Sequence, residues 1–177
     1  MTRRGFIKAG LVFADQLTTV SPTYAREIQT PECGDGLDGL LRHRAARLAG
    51  ILNGIDDSHW DPAHDRFLVK RYSIRQPRNK AANKLALQQE LGLPQETATP
   101  LIGMVGRLVQ QNGIDLILDT LPGLMHRPLQ LVVLGSGETG YEESLRKQGA
   151  RHAGRLAVHI GYDEQLAHRI EAGSDMF

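Results

Sequence analysis

The second half of the chain alternates short apolar runs with stretches of helical character. The apolar runs are 101–106, 129–134 and 156–160, and the helical stretches are 114–121, 141–148 and 164–172. Near-continuous apolar strands that alternate with helices are typical of a parallel sheet covered on both faces. The pattern therefore predicts an α/β fold with ligand-binding crevices at the carboxyl ends of the strands. It also predicts the start of a further strand at Asp175–Phe177.

The first half of the chain is less regular. Its β-branched run ends at Ser21-Pro22, which predicts a strand followed by a turn. A polar break at 95–100 separates this half from the regular pattern, and we predict a boundary there. The elements predicted before the break are a strand at 16–21, a loop at 31–39, a helix at 40–48, a short strand at 50–53, an irregular connection at 56–76 and a helix at 79–91.

Composition excludes several classes of protein. The net charge of +1, with charges of both signs interspersed, and the 5% aromatic content argue against a nucleic-acid surface. Because no apolar run approaches the roughly 20 residues that cross a bilayer, we predict no membrane partner. The single cysteine, Cys33, has no internal partner for a disulfide. A lone reduced thiol favours a cytoplasmic location.

Residues 2–8 resemble a twin-arginine export signal, because Arg3-Arg4 precede Phe6 and Lys8. The apolar stretch that follows is only 9–14 and ends at Asp15, which is short and charged for a signal peptide. The segment is therefore expected to belong to the folded protein.

A glycine-rich segment, Gly135-Ser136-Gly137-Glu138-Thr139-Gly140, lies between a predicted strand and a predicted helix. Glycines there let the backbone approach a phosphate, and the helix N-terminus offers N–H groups and partial positive charge. A dinucleotide site also needs an acidic residue about 20 positions further on, whereas Asp163 lies 28 positions after Gly135. Two interpretations stay open, a phosphate loop, as in an NAD-dependent oxidoreductase, and a tight turn without a ligand.

Arg107 follows the predicted strand 101–106, and Asn112-Gly113 opens the next helix. An arginine at the carboxyl end of a strand, beside a helix N-terminus, is suited to grip a phosphate through two parallel hydrogen bonds. An exposed arginine in a solvated loop is the alternative on spacing alone.

The histidines show no metal-ligand spacing. His168 falls on a predicted helix and is interpreted as a packing residue. Because Pro62 and the irregular pattern around it give no reason for side chains to converge, we predict no metal site. The potential ligands considered there are Asp57, His59, Asp61, His64 and Asp65.

The order of short segments along nearly the whole chain from Phe6 resembles the bacterial glycogen synthase family, which includes the starch synthases. The segments that carry the resemblance are 8–15, 18–25, 36–41, 50–56, 60–62, Asn83-Lys84, Leu87-Gln88, Arg107-Leu108, 113–116, 134–137, 160–164, 168–170 and 172–173.

The resemblance implies a retaining enzyme that transfers glucose from ADP-glucose to the non-reducing end of an α-1,4-glucan, with no cofactor. It implies a GT-B type fold of two Rossmann-like halves. Residues 1–21 would end the glucan-side half, residues 22–99 would connect the halves, and residues 100–177 would begin the nucleotide-binding half. The segment 6–15 would then be a helix that leads into a strand.

By the same resemblance, Arg107 would bind the distal phosphate of ADP and stabilise the leaving group. Gly135, Ser136 and Gly137 would line the nucleotide pocket, with Tyr162 near the adenine. One position departs from the family, since Asn112 stands where the family has a lysine five residues after the arginine. A neutral amide lacks the charge that an ammonium offers to phosphates.

The resemblance also places the family's Lys-Thr-Gly-Gly segment before the first residue and its Glu-Pro-Cys-Gly segment after the last. We therefore expect an internal segment of a synthase that is inactive alone. A non-catalytic remnant that binds adenine nucleotide and an NAD-dependent oxidoreductase fragment are the alternatives. The resemblance leaves the oligomeric state open.

Overall fold

The computed structural model describes the backbone of residues 3–177 and the side chains from residue 5 onward. It divides into two compact units, one that reaches up to Asp56 and one from Asp57 to Phe177. The three-part division at residues 21 and 99 concerns the domains of the whole family and stays a prediction.

The first unit contains a small parallel sheet. Its strands β1 and β2 pair with Leu17 opposite Leu48 and Val20 opposite Ile51. Helix α1 confirms the predicted helix-to-strand segment, whereas Thr2 of the twin-arginine-like stretch lies outside the described residues. The elements are α1 (Arg3–Phe13), β1 (Leu17–Val20), α2 (Pro22–Glu27), α3 (Asp38–His43), a 3₁₀ turn (Ala45–Arg47) and β2 (Leu48–Ile51).

Helix α2 replaces the turn that Ser21-Pro22 was predicted to form. Ser21 is its N-cap, with the hydroxyl Oγ accepting from the backbone N–H of Tyr24 at 3.0 Å, and Pro22 occupies the first helical position. Both residues are favoured at helix starts. The prediction of a simple turn was wrong because these capping signals also begin a short helix.

The predicted helix at 40–48 is shorter in the structure, and the strand after it begins earlier. Helix α3 ends at His43, and β2 begins at Leu48 rather than at Gly50. The guanidinium of Arg44 donates to the backbone carbonyls of Leu11, Val12 and Ala14 at the end of α1. Arg44 is the C-cap of α3, and β2 pairs with β1 from Leu48 onward.

The second unit contains the regular α/β pattern. The predicted strands 101–106, 129–134 and 156–160 and the predicted helices are confirmed, with ends that shift by a few residues. The elements are α4 (Lys80–Glu90), β3 (Leu101–Val105), α5 (Ile114–Leu124), β4 (Gln130–Gly135), α6 (Thr139–Arg151), β5 (Leu156–Ile160) and α7 (Glu164–Gly173), with 3₁₀ turns at Pro77–Asn79 and Gln110–Asn112. The connection before α4 is irregular, as predicted.

The second sheet is parallel throughout, with strand order β3-β4-β5. The predicted start of a strand near the last residues is confirmed, because Met176 forms a parallel bridge with Ile102 of β3. The carboxyl ends of all these strands therefore lie along one edge of the sheet, where the predicted crevice is expected.

Alternate residues of β4 face opposite sides of the sheet and bury two separate cores. Leu131 and Val133 pack in one core with Leu121 of α5 and Leu145 of α6. Val132 and Leu134 pack in the other, with Leu87 of α4 and Ile170 of α7. Helices thus cover both faces, as the apolar pattern predicted. None of the helices among the described residues combines the length and apolar character needed to span a bilayer.

Candidate nucleotide-binding site

A pocket of about 260 Å³ lies at the carboxyl ends of β3, β4 and β5. Its residues come from the last positions of β3 and β4, from the loop after each strand and from the start of α7, so the fold itself brings together positions far apart in sequence. The lining residues are Val105, Gly106, Arg107, Leu134, Gly135, Ser136, Gly161, Tyr162, Asp163 and Ala167.

Gly161 gives the pocket part of its shape. Its φ of +146° is a conformation that residues with a side chain rarely adopt. Its N–H donates to the carbonyl of Gly135 at 2.9 Å, which holds the loop after β5 against the loop after β4. This glycine therefore sets where Tyr162 leaves the sheet.

Two glycines of the segment 135–140 allow the loop after β4 to pack closely against the loop after β3. A Cβ atom on Gly135 would lie 1.9 Å from the carbonyl oxygen of Gly106, and one on Gly137 would lie 2.2 Å from that of Leu108. The N–H of Leu108 donates to the carbonyl of Ser136, and the N–H of Glu138 donates to that of Leu108, both at 2.9 Å. The close packing of the loops after β3 and β4 thus explains why positions 135 and 137 are glycines.

Gly137 does not line the pocket, although Gly135 and Ser136 do. The backbone N–H of Gly137 donates to the carboxylate Oε1 of Glu142 at 2.9 Å, and Glu142 also pairs with Arg146 at 3.6 Å. The amide that a phosphate loop would offer is therefore engaged by a carboxylate of α6. Of the three predicted loop residues, the structure brings Gly135 and Ser136 to the cavity.

Arg107 lies on the rim of the pocket with an exposed side chain. Among the residues whose side chains are described, no carboxylate forms an ion pair with it. Asn112 lies outside the pocket lining, and its Nδ2 donates to the backbone carbonyl of Arg107 at 2.9 Å. Asn112 thus supports the backbone of the arginine loop and contributes no charge to the rim.

Tyr162 lines the pocket and is 88% exposed, so its ring offers an open face to a ligand. Sequence reasoning missed its neighbour Asp163 as a lining residue. The carboxylate Oδ1 of Asp163 accepts from the N–H of Leu166 at 2.8 Å and caps the start of α7. An aspartate directly before the acidic first turn of a helix is a capping signal that the sequence contains.

Comparisons with known proteins give one consistent result. A family model for the starch synthase catalytic domain matches residues 2–43. A glycogen synthase from Anaeromyxobacter is 59% identical over 97% of the chain, and glycogen synthase 2 from Nitrosococcus oceani is 56% identical over 97%. The structure superimposes on the catalytic domain of starch synthase IV from Arabidopsis thaliana, solved with ADP and acarbose, with a TM-score of 0.89 and 36% identity over 97% of the chain.

The chain spans 36% of the Anaeromyxobacter protein, 35% of the Nitrosococcus protein and 36% of the starch synthase IV chain. The match to starch synthase IV also identifies the two parallel sheets as parts of the GT-B type fold. The sequence relatives, the family model and the structural match agree, and along 97% of its length the chain is similar to the bacterial glycogen and starch synthase family.

Proposed function

We propose that the pocket at the carboxyl ends of β3, β4 and β5 binds the diphosphate and adenine of ADP-glucose, as part of an enzyme that extends α-1,4-glucans. The observation that carries this proposal is the exposed guanidinium of Arg107 on the rim of that pocket. A cation at the carboxyl edge of a parallel sheet is where an anionic ligand of an open α/β fold is expected.

Arg107 would act on the leaving group. When glucose transfers from ADP-glucose, the bond between the anomeric carbon and the distal phosphate breaks, and the departing ADP gains negative charge. A cation held in place beforehand stabilises that charge more in the transition state than in the ground state, which lowers the barrier. The hydrogen bond from Asn112 to the carbonyl of Arg107 supports this placement.

Adenine would pack against Tyr162, and the phosphates would lie near Arg107 and the backbone of Gly135 and Ser136. An exposed aromatic ring beside an apolar pocket gains by covering its face with a planar ligand. The structure of starch synthase IV contains ADP and acarbose, which supports a nucleotide and a glucan as the ligands of the whole enzyme. Because the chain spans about 36% of its relatives, we propose that it does not catalyse transfer alone.

Calorimetric titration of the chain with ADP tests the nucleotide site. Replacement of Arg107 by glutamine is expected to weaken ADP binding by about tenfold, the effect of losing one charge-assisted contact of ~1.5 kcal/mol. Arg151→Gln is the matched control, since Arg151 is an exposed arginine in the last turn of α6 and does not line the pocket. Absence of heat at millimolar ADP, or equal losses in both variants, would refute the proposed site.

Two further measurements separate the alternatives. Transfer of labelled glucose from ADP-glucose to glycogen by the chain alone would contradict the proposed inactivity, whereas ADP binding without transfer agrees with it. Competition between NAD and ADP-glucose addresses the oxidoreductase alternative. Tighter binding of NAD would favour that alternative, although the engaged amide of Gly137 argues against it.

A further inference from the structure

Three side chains with metal-ligand chemistry converge outside the nucleotide pocket. Glu164 and His168 lie one turn apart on α7, and His59 comes from the irregular connection before α4. One ligand atom of each lies within 4.8 Å of the others. We propose that His59, Glu164 and His168 form a binding site for a divalent transition metal of the zinc class.

The distances suit tetrahedral coordination. Nε2 of His59 and Nε2 of His168 are 3.2 Å apart. Two nitrogen ligands at zinc–nitrogen distances near 2.0–2.1 Å in a tetrahedral site are separated by about 3.3 Å. Oε1 of Glu164 lies 2.8 Å from Nε2 of His59, and its side chain is 45% exposed, so it has room to adjust around an ion.

A bound metal cation accounts for the arrangement of these three side chains better than hydrogen bonds between them do. Nε2 of His59 faces both Oε1 of Glu164 and Nε2 of His168. This nitrogen carries at most one hydrogen, and no tautomer lets it donate fully to the carboxylate while it also satisfies the second ring. An ion at the centre would accept the lone pairs of all three groups, and two neutral imidazoles with one carboxylate are a common zinc ligand set.

Asp65 holds His168 in the orientation that such a site requires. Its Oδ2 lies 2.7 Å from Nδ1 of His168, and both side chains are buried. A carboxylate that accepts the N–H of one ring nitrogen fixes the tautomer and directs the lone pair of the other nitrogen towards the metal. Here the other nitrogen is Nε2, the atom that faces His59.

The ring of His168 is also fixed by packing. Trp60 stacks on it with ring centroids 3.8 Å apart and an interplanar angle of 3°, and Phe67 contacts it at 4.9 Å. With His168 buried and both His59 and Glu164 partly exposed, the site is rigid on one side and open to solvent on the other. A fourth ligand such as water has access from the open side.

This arrangement could not be predicted from local sequence spacing, because His59 and His168 are 109 positions apart. Local spacing grouped His59 with His64, whereas in the structure His64 pairs with its neighbour Asp61 at 2.6 Å. The prediction of no metal site rested on the absence of any reason for convergence, and the packing of the connection against α7 supplies that reason.

Titration with zinc chloride, on chain prepared without an affinity tag and stripped with a chelator, tests the site. We expect one zinc ion per chain and a higher melting temperature with zinc, because the ion would tie the connection to α7. Replacement of His59 by alanine is expected to weaken zinc binding by more than about tenfold. The control is His64→Ala, which removes an exposed histidine of the same connection that faces Asp61.

Cobalt substitution gives a second readout. The parent chain is expected to show the visible ligand-field bands of tetrahedral cobalt(II), and Glu164→Gln to alter them while circular dichroism stays unchanged. No zinc binding by the parent chain, or equal affinities in the parent and His59→Ala, would overturn the proposal. Loss of binding in His64→Ala would overturn it as well, since the ion would then lie elsewhere.

Discussion

The ammonium group of Lys84 donates to Oδ2 of Asp175 at 2.6 Å, across 91 positions of sequence. The lysine side chain is only 6% exposed, and its remaining N–H groups donate to the carbonyls of Thr97 at 2.9 Å and Thr99 at 2.7 Å. The same carboxylate oxygen accepts from the N–H of Leu101 at 2.8 Å. One buried cation thus connects α4, the segment before β3 and the segment after α7.

Replacement of Lys84 by methionine is expected to lower the free energy of unfolding by about 3 kcal/mol, because two carbonyls lose their donor and the carboxylate loses its counter-charge. Urea unfolding measures the difference. Lys147→Met, on the exposed side of α6, is the control and is expected to change stability by less than about 0.5 kcal/mol. Equal effects of the two substitutions would show that the buried ammonium does not stabilise this unit.

Gly135→Ala is expected to destabilise the protein by about 3 kcal/mol, since the new methyl group would meet the backbone oxygen of Gly106. Gly140→Ala provides the contrast, because nothing lies within 4 Å of a Cβ atom there and alanine favours the helix. Thermal unfolding of both variants separates a steric clash specific to position 135 from the general effect of replacing a glycine by alanine. A stable Gly135→Ala variant would contradict the interpretation that the two loops require the glycine.

Asn112→Lys is expected to increase ADP affinity about tenfold, because it would add a cation to the loop beside Arg107 and gain ~1.5 kcal/mol from a charged contact. Asn112→Met is the matched comparison, since both variants lose the amide bond to the carbonyl of Arg107 and differ in charge. Titrations at low and high salt should show that the difference in ADP affinity between the two variants becomes smaller as the salt concentration increases. Equal affinities of the two variants would place this side chain outside the reach of the phosphates.

Burial lowers the pKa of Lys80, and the charge of Asp175 opposes this shift. Its Nζ donates to the carbonyls of Glu171 and Ala172 near the end of α7. Because the pKa is lower in the folded than in the unfolded chain, the unfolded chain binds more protons between the two values. The contribution of Lys80 to stability therefore rises with pH in that range.

Urea unfolding of the parent and of Lys80→Met, from about pH 8 to about pH 10, checks this sign. The stability difference in favour of the parent is expected to grow with pH, and Lys147→Met, on the exposed side of α6, is measured in parallel as the control. A difference that shrinks with increasing pH would mean that the carbonyl contacts, rather than burial, dominate the titration of Lys80.

The apolar pattern was sufficient to predict the second sheet. Strands β3, β4 and β5 each lie within one residue of their predicted bounds, because fully buried strands of a parallel sheet are apolar at nearly every position. The first unit was harder, since α2 has only six residues. A helix this short has too few positions for a helical period to emerge, and its capping residues also suit a turn.

In the candidate sites too, some features could be predicted from the sequence and others could not. Gly135 ends β4, and Arg107, Ser136 and Tyr162 follow β3, β4 and β5, so the rule for parallel sheets predicts that they lie at one edge. The assignment of Gly135, Ser136 and Tyr162 to a nucleotide pocket came from the family resemblance. The hydrogen bond from the Gly137 amide to Glu142 could not be predicted from the sequence, because it depends on the rotamer of one side chain. The convergence of His59 with His168 depends on how an irregular connection packs, and no periodic pattern describes such a segment.

The parallel bridge between Met176 and Ile102 has a consequence for the position of the pocket. The chain adds β4 and then β5 on one side of β3, and it returns through α7 to the other side of β3. Strand β3 is therefore where the winding of the sheet reverses, with α5 and α6 packed on one face and α7 on the other. Open α/β sheets bind ligands beside such a reversal, and Arg107 follows β3 by two residues.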